Sequence, residues 1–399
     1  MKKMNFFERA EKLGHSVDAL QKGHQISSTI SVPNVDELKA LLDDGAGEDV
    51  RAEREQNMLA AVPAGTNQPY DATLLRKVQS YVYGNGTLDY NDHQQLGKVF
   101  PVQVLAVSAA NITYNGHVDL GKSQVMIVLN YGTVTMNDQS YVTVENSTLT
   151  YTADVLIRNG SAPAGYGDFN ILGVAGTPGT TGATGATGGS GSTGKNGNCS
   201  SAGIAGDSGQ NGNAGATGGT GAPGTPGGDG LPSMPATITI TQSIQQASSL
   251  VIYTSSGQGG NGGQGGNGGP GGRGGNGGNG ATCGCTGSGA GNGNSGGQGG
   301  NGGQGGQGGN GVNANGTVTI YVPGNFVNNV HNVSVPAAPG MGGAGGNGGA
   351  GGAGGSGGSG GKHNGNGSGG SSGGVGNTGS VGAQGSKTGQ PAVISVKPY

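Results

Sequence analysis

Residues 258–280 read QGGNGGQGGNGGPGGRGGNGGNG. Two glycines stand in every triplet, and the variable position carries Gln258, Asn261, Gln264, Asn267, Pro270, Arg273, Asn276 and Asn279. A period of three is neither the 3.6 of an α-helix nor the alternation of a strand. It is the repeat of polyproline II, with three residues per turn and a rise of about 3.1 Å per residue. One glycine per triplet leaves one bare stripe along such a helix, and two leave two. Bare stripes let backbones approach closely enough to hydrogen-bond, which an isolated polyproline-II helix cannot do within itself.

The same phase fills three tracts, about 175–232, 256–316 and 338–390. In the first, glycine recurs every third residue from Gly173 to Gly197, breaks at NCSSA, and resumes from Gly203 to Gly230. The second breaks at ATCGCTGSGAGN and resumes as Gln298, Asn301, Gln304, Gln307 and Asn310, each followed by two glycines except Asn310. The third keeps two glycines per triplet from Met341 to Lys362, breaks at HNGNGSG, and continues with one per triplet from Gly373 to Gly385. One central break per tract predicts a hairpin, hence six helices with arms reaching roughly 60–85 Å. One-stripe arms are expected outside such a bundle and two-stripe arms inside it. Gly176, Gly206, Gly260, Gly266, Gly300, Gly343 and Gly376 are expected to be packing positions within it. Strict phase argues against a flexible linker, and the second glycine of GGN and GGQ has no use in a collagen triple helix.

Between the tracts lie β-branched runs: FNILGV (169–174), ATITIT (236–241) with LVIY (250–253), TVTIYV (317–322) with VHNVSV (330–335), and AVISV (392–396). Insertions of near-equal length returning to one β layer explain the spacing. Upstream, VFPVQVLAV, QVMIVL, GTVTM, SYVTVE and TLTYTADVLI alternate and are separated by Asn, Gly and Asp turns, as strands of a β-solenoid or a sandwich would be.

Residues 1 to about 83 read as helical. Phe6, Ala10, Leu13, Val17 and Leu20 recur at helical spacing, with Asn5 as N-cap and Gly23 as a stop. A second helix follows Asn34 with Leu38, Leu41 and Leu42, a third lies near 48–62, and a fourth starts at Asp71 with Leu74, Leu75, Val78 and Tyr81 on one face. Two readings stay open for this region: a module that docks onto a partner, or a cap over a sheet edge. The expected fold class is therefore multi-part. It has a helical attachment region (1–98), a β-solenoid or β-sandwich-like domain (99–172), and a polyproline-II glycine-helix bundle interleaved with short strands (173–399).

Net charge is −3, and no acidic residue follows Asp229, so general attraction to nucleic acid is not expected. No run of 18 or more apolar residues occurs, and a membrane-spanning helix is not expected. MKKMNFFERAEKLG lacks an apolar stretch of Sec signal-peptide length. The six histidines, at 15, 24, 93, 117, 331 and 363, are scattered. GxGxxG matches in the tracts open no helix after a strand. No cofactor, metal or catalytic residue is expected, and the chain reads as non-enzymatic.

All three cysteines fall at tract breaks, Cys199 in the first and Cys283 and Cys285 in the second. Parallel hairpins would bring these turns together, and a disulfide from Cys199 to Cys283 or Cys285 would staple them in an oxidising exterior. Free thiols and an intermolecular bond are the rivals. A Cys-Gly-Cys metal site lacks ligands, with His363 as the sole nearby candidate. The small polar tips supply the candidate receptor contacts: Cys199, Ser200, Ser201, Thr282, Cys283, Cys285, Thr286, Ser288, His363, Asn364 and Asn366.

On GGQGGNGGPGGRGGNGGNG and its kin, the region 173–385 resembles the distal tail-fibre adhesins of T-even-type bacteriophages. It is similar in the same limited sense to the snow-flea antifreeze proteins. The resemblance implies a sandwich of glycine helices whose end loops bind a host surface. The expected function is a structural and surface-binding protein, a subunit or tip adhesin of a phage or phage-like appendage. It would be extracellular or virion-associated. Its expected partners are copies of itself or an appendage shaft protein through residues 1–98, and a cell-surface glycan or outer-membrane protein at the tips. A self-polymerising bacterial extracellular fibre or sheath subunit is the alternative, and ice binding by the Asn and Gln rows is the third reading.

Overall fold

The computed structural model describes residues 4–43, 45–60, 72–121, 125–201, 204, 206–246 and 249–399. The expected start of a helix at Asp71, the end of another at 61–62, the side chain of Leu75 and the first glycine of the resumed tract, Gly203, lie outside the described residues.

Local signals set the helices. Asn5 caps α1 (Phe6–Lys12) through Phe7 and Glu8 N–H, and Glu8 returns a bond to the Asn5 N–H. Gly14, at φ 74°, ends that turn, and Ser16 caps a separate α2 (Val17–Gln21). Asn34 caps α3 (Val35–Leu42). α4 (Glu48–Ala60), α5 (Ala72–Tyr83) and α6 (Tyr90–Leu96) complete the layer. No helix among the described residues is long and apolar enough to cross a membrane.

The strands are β1 (Ile26–Val32), β2 (Val102–Tyr114), β3 (His117–Asp119), β4 (Met126–Met136), β5 (Tyr141–Glu145), β6 (Thr148–Arg158) and β7 (Phe169–Leu172). They continue as β8 (Ala236–Gln246), β9 (Leu250–Ser255), β10 (Thr282–Cys283), β11 (Thr286–Gly287), β12 (Val318–Val322), β13 (Val330–Val335) and β14 (Ile394–Pro398). Seven form one mixed sheet, ordered β1-β2-β4-β6-β8-β12-β14, in which only β1 runs antiparallel to its neighbour. Five form a parallel sheet, ordered β13-β9-β7-β5-β3. From β2 onward the chain alternates between the sheets, and each strand settles beside the one a circuit earlier. Leu149, Tyr151, Leu156, Phe169, Ile171, Ile238, Ile252 and Ile320 fill the space between them.

This overturns the expected fold class. The regular structure is one large mixed sheet with a parallel partner and few helices, and no polyproline bundle is evident. Strands from beyond residue 173 lie in the same sheet as β2, β4 and β6, because ladder bonds join each strand to the previous circuit whatever intervenes in sequence. The N-terminal region is not wholly helical either. Ile26–Val32 alternates half-buried and exposed along the sheet edge, against Val102–Ser108. The helices cover a sheet face: Leu38, Leu42, Leu74 and Val82 pack on Val104, Ala106 and Val128. Arg9 bonds Asp154 at 2.7 Å, and Arg54 stacks over Tyr321.

Apart from the short β10–β11 pair at the second break, the described residues of the tracts form neither helix nor strand. Each occupies the return from the parallel sheet to the mixed sheet, after β7, β9 and β13, where earlier circuits need only a few residues. Each doubles back, giving six extended arms: arm 1 (173–197), arm 2 (206–231), arm 3 (256–281), arm 4 (288–312), arm 5 (337–361) and arm 6 (364–389). Arms 1, 3 and 5 lie side by side in parallel and prolong β7, β9 and β13; the Leu172–Ser255 pairing runs on as Gly173 N–H to Ser255 O and Gly176 N–H to Gln258 O, both 2.8 Å. Arms 2, 4 and 6 form a second row leading into β8, β12 and β14. Consecutive arms pair antiparallel across the rows, as in Gly269 N–H to Gly219 O at 2.8 Å.

This arrangement explains the two glycine densities. In a triplet such as Gly259-Gly260-Asn261, the first N–H bonds the next arm of the same row (Ala338 O, 2.9 Å) and the second bonds the preceding arm across the rows (Gly228 O, 2.9 Å). A Cβ on the first would overlap the carbonyl of Gly309 in the following arm; a Cβ on the second would overlap that of Thr177, two arms back. The first two arms have no arm two back and tolerate Thr180, Ala183, Asn213 and Ala222 at the crossing position. The last has no following arm and tolerates Val375 and Val381 at the row position. Arms 3, 4 and 5 have both neighbours and hold glycine at both positions along most of their length. At Gly176, Gly260, Gly266, Gly300, Gly343 and Gly376 a Cβ would meet a carbonyl of another arm, whereas at Gly206 it would meet the Asn198 carbonyl and the Ala281 and Cys283 side chains at the tip.

Candidate functional site

The third residue of each triplet faces solvent, and asparagine there has a defined task. Asn261, Asn267, Asn276 and Asn279 of arm 3 accept through Oδ1 from the N–H of Met341, Asn347, Ser356 and Ser359 of arm 5 at 2.8–3.0 Å. Asn301 and Asn310 do the same for Asn377 and Ser386. The Asn rows thus satisfy N–H groups that would otherwise need water.

At the end away from the β stack the three returns meet. Parallel alignment within each row brings arms 1, 3 and 5 to one level, so Cys199, Thr282 and Lys362 arrive together although about 80 residues separate each from the next. Cys199 and Cys283 form a disulfide, with Cα atoms 5.6 Å apart, and Cys285 is a free, exposed thiol. Thr282 pairs with Gly287 and Cys283 with Thr286, closing a turn in which Gly284 takes φ 72°. Thr282 Oγ1 accepts from the Lys362 N–H at 3.2 Å, joining the second tip to the third. In the third, Asn366 Oδ1 accepts from Gly360 N–H at 3.0 Å, Asn364 Nδ2 donates to Lys362 O at 3.2 Å, and His363 sits at φ 65°.

The expected contact residues divide by role. Ser288 is buried; its hydroxyl accepts from Ala281 N–H at 2.8 Å and donates to Asp207 O at 2.6 Å. Cys283 is buried in the staple, and Thr286 is half-buried, its hydroxyl donating to Cys283 O at 3.3 Å. Cys199, Ser200, Ser201, Thr282, Cys285, His363, Asn364 and Asn366 are exposed. Lys362, the first residue of the third tip KHNGNGSG, adds an ammonium group. One neighbour was missed by sequence reasoning: Ile204, which is 62 % exposed. A lone large aliphatic among Ser, Ala and Gly was the available signal for Ile204. The assembled surface therefore offers hydroxyls, amides, an imidazole, an ammonium and a thiol on a stapled support. Among the described residues no three His, Cys, Asp or Glu side chains gather closely enough to hold a metal ion.

No protein family, no curated protein and no solved structure matches this chain.

Proposed function

We propose that this chain is a non-enzymatic structural and surface-binding protein, a tip adhesin or subunit of a phage or phage-like appendage. The observation that carries the reading is the convergence of three separate returns into one stapled polar surface. Arms of about 25 residues can hold it at most roughly 85 Å from the sheets. Nothing in the packing of the stack needs the tips so far out, whereas reaching a cell surface does. A disulfide at the tip fits an oxidising exterior, consistent with an extracellular or virion-associated place. Hydroxyls and amides suit a cell-surface glycan or the polar loops of an outer-membrane protein. Attachment to a shaft or to further copies is assigned to residues 1–98. It would use their polar outer faces, since Leu38, Leu42 and Val82 are spent on the chain's own sheet.

The test is binding of the full-length protein to arrayed bacterial surface polysaccharides and to outer-membrane vesicles. A quadruple variant, Thr282→Ala, Thr286→Ala, His363→Ala and Asn364→Ala, is compared with Gln264→Ala/Gln304→Ala on the flat faces. Loss of at least tenfold in the tip variant alone is expected. Equal binding by both would end the reading. Unbranched fibres formed by the purified chain, with no surface bound, would favour a polymerising sheath.

A further inference from the structure

Arm 6 differs from the arms it follows at one position. In arm 4 the residues that donate along the row, from Gly293 to Gly311, are all glycine, because a Cβ there meets arm 5. In arm 6 the equivalent residues are Gly369, Ser372, Val375, Thr378, Val381 and Gln384. Val375 is 74 % exposed and Val381 69 %. Their Cβ atoms point where the carbonyls of a seventh arm would lie. Beside them, arm 5 presents the N–H groups of Gly342, Gly345, Gly348, Gly351, Gly354 and Gly357, which have no partner among the described residues. In arms 1 and 3 every corresponding N–H is taken by the next arm of the row at 2.8–2.9 Å. Donors at regular triplet spacing on an open edge are a template for another extended chain, the hazard of any unpaired ladder edge.

We infer that Ser372, Val375, Thr378, Val381 and Gln384 form a built stop: they deny the arm 5 ladder to any seventh arm, from a second copy of this chain above all. The opposite edge is closed in the same way. Thr177, Thr180, Ala183, Ala186, Ser192 and Lys195 of arm 1 carry side chains at the crossing position. Were arm 1 of a second copy laid beside arm 5, those Cβ atoms would overlap arm 5, as a Cβ at Gly340 would overlap Gly260 O two arms back. Copies therefore cannot continue the tract layer through their arms, and any assembly of this chain must use another surface. The inference rests on arm geometry and stands whether or not the tips bind a surface.

The probe is a synthetic peptide with the sequence of residues 256–281, ending before Cys283, which carries glycine at both constrained positions. Wild-type protein should not bind it. The quintuple variant Ser372→Gly, Val375→Gly, Thr378→Gly, Val381→Gly and Gln384→Gly should bind it in a one-to-one complex, at least tenfold tighter than wild type. Equal binding by the two proteins, or none by a variant whose thermal unfolding matches wild type, overturns the stop. Amide exchange on the wild-type chain decides independently if the variant does not fold. The Gly342–Gly357 row amides should exchange roughly a hundredfold faster than Gly259–Gly277. Equal protection would mean the edge is already covered, and the inference fails.

Discussion

Arg158 and Asp168 form an ion pair at 2.7 Å, with the guanidinium wholly buried at the corner where β6 turns into β7. The remaining Arg158 N–H groups donate to the carbonyls of Met136, Asn137, Ser140 and Asn159, and the second Asp168 oxygen accepts from Val251 N–H at 2.7 Å. One pair thereby ties three successive circuits of the stack, just before the first tract departs.

Removing the charge of Asp168 alone should expose that dependence. Asp168→Asn leaves a buried guanidinium without its counter-ion, and about 3 kcal/mol of stability should go. Urea unfolding followed by circular dichroism measures it. A loss below about 1 kcal/mol would mean that the four carbonyls suffice.

Glycine substitutions should separate by arm rather than by sequence context. Gly266→Ala and Gly300→Ala drive a Cβ into the carbonyls of Ala183 and Gly219 and should each cost about 3 kcal/mol or more. At Gly189 and Gly374 an added methyl group would meet nothing within 4 Å. Alanine there should be neutral or stabilise by up to about 1 kcal/mol through the unfolded chain. Melting temperatures of the four variants test the rule, and uniform effects would refute it.

Thiol titration should distinguish the three cysteines. The native protein should show one reactive thiol, Cys285, and three after unfolding in reductant. Cys199→Ser removes a cross-link spanning 84 residues, worth at most about 4–5 kcal/mol by loop entropy and less where the arms already align the tips. The loss should appear as faster proteolysis at 198–207, with strand amides unchanged. Two or three reactive thiols in the native state would contradict the pairing.

His15 should make the helical cap sensitive to mild acid. Its ring nitrogens lie 2.8 Å from Ser108 Oγ and Ser28 Oγ, and burial lowers its pKa below 6.5. A base whose folded pKa is depressed binds fewer protons folded than unfolded, so stability is full above pH 6.5 and falls as pH drops below it. Urea midpoints at pH 7.5 and pH 5.0 should differ in wild type, and the difference should shrink in His15→Gln. An unchanged difference would assign the acid sensitivity elsewhere.

The caps at Asn5 and Asn34, the strand runs and the tip cysteines were legible in the sequence because each rests on residues a few positions apart. So was the triplet phase, which records clearance repeated along every arm. Ile26–Val32 was not legible as a strand, since ISSTISV alternates over a polar surface and finds its partner some 75 residues later, at Val102–Ser108. The choice of Cys283 over Cys285 was not legible either. Both stand in one turn, and the arm register decides which sulfur faces Cys199.

Amino-acid order alone determined where chains can approach closely: every third residue in some arms and two of three in others. Only the tertiary structure decided which chains approach, and hence why Thr180 and Val375 are allowed where Gly260 and Gly296 are required. The reason is physical. A missing Cβ is a local property, but the carbonyl that would collide with it belongs to the next arm or the second one back, and ladder bonds inherited from the two sheets set that neighbour order.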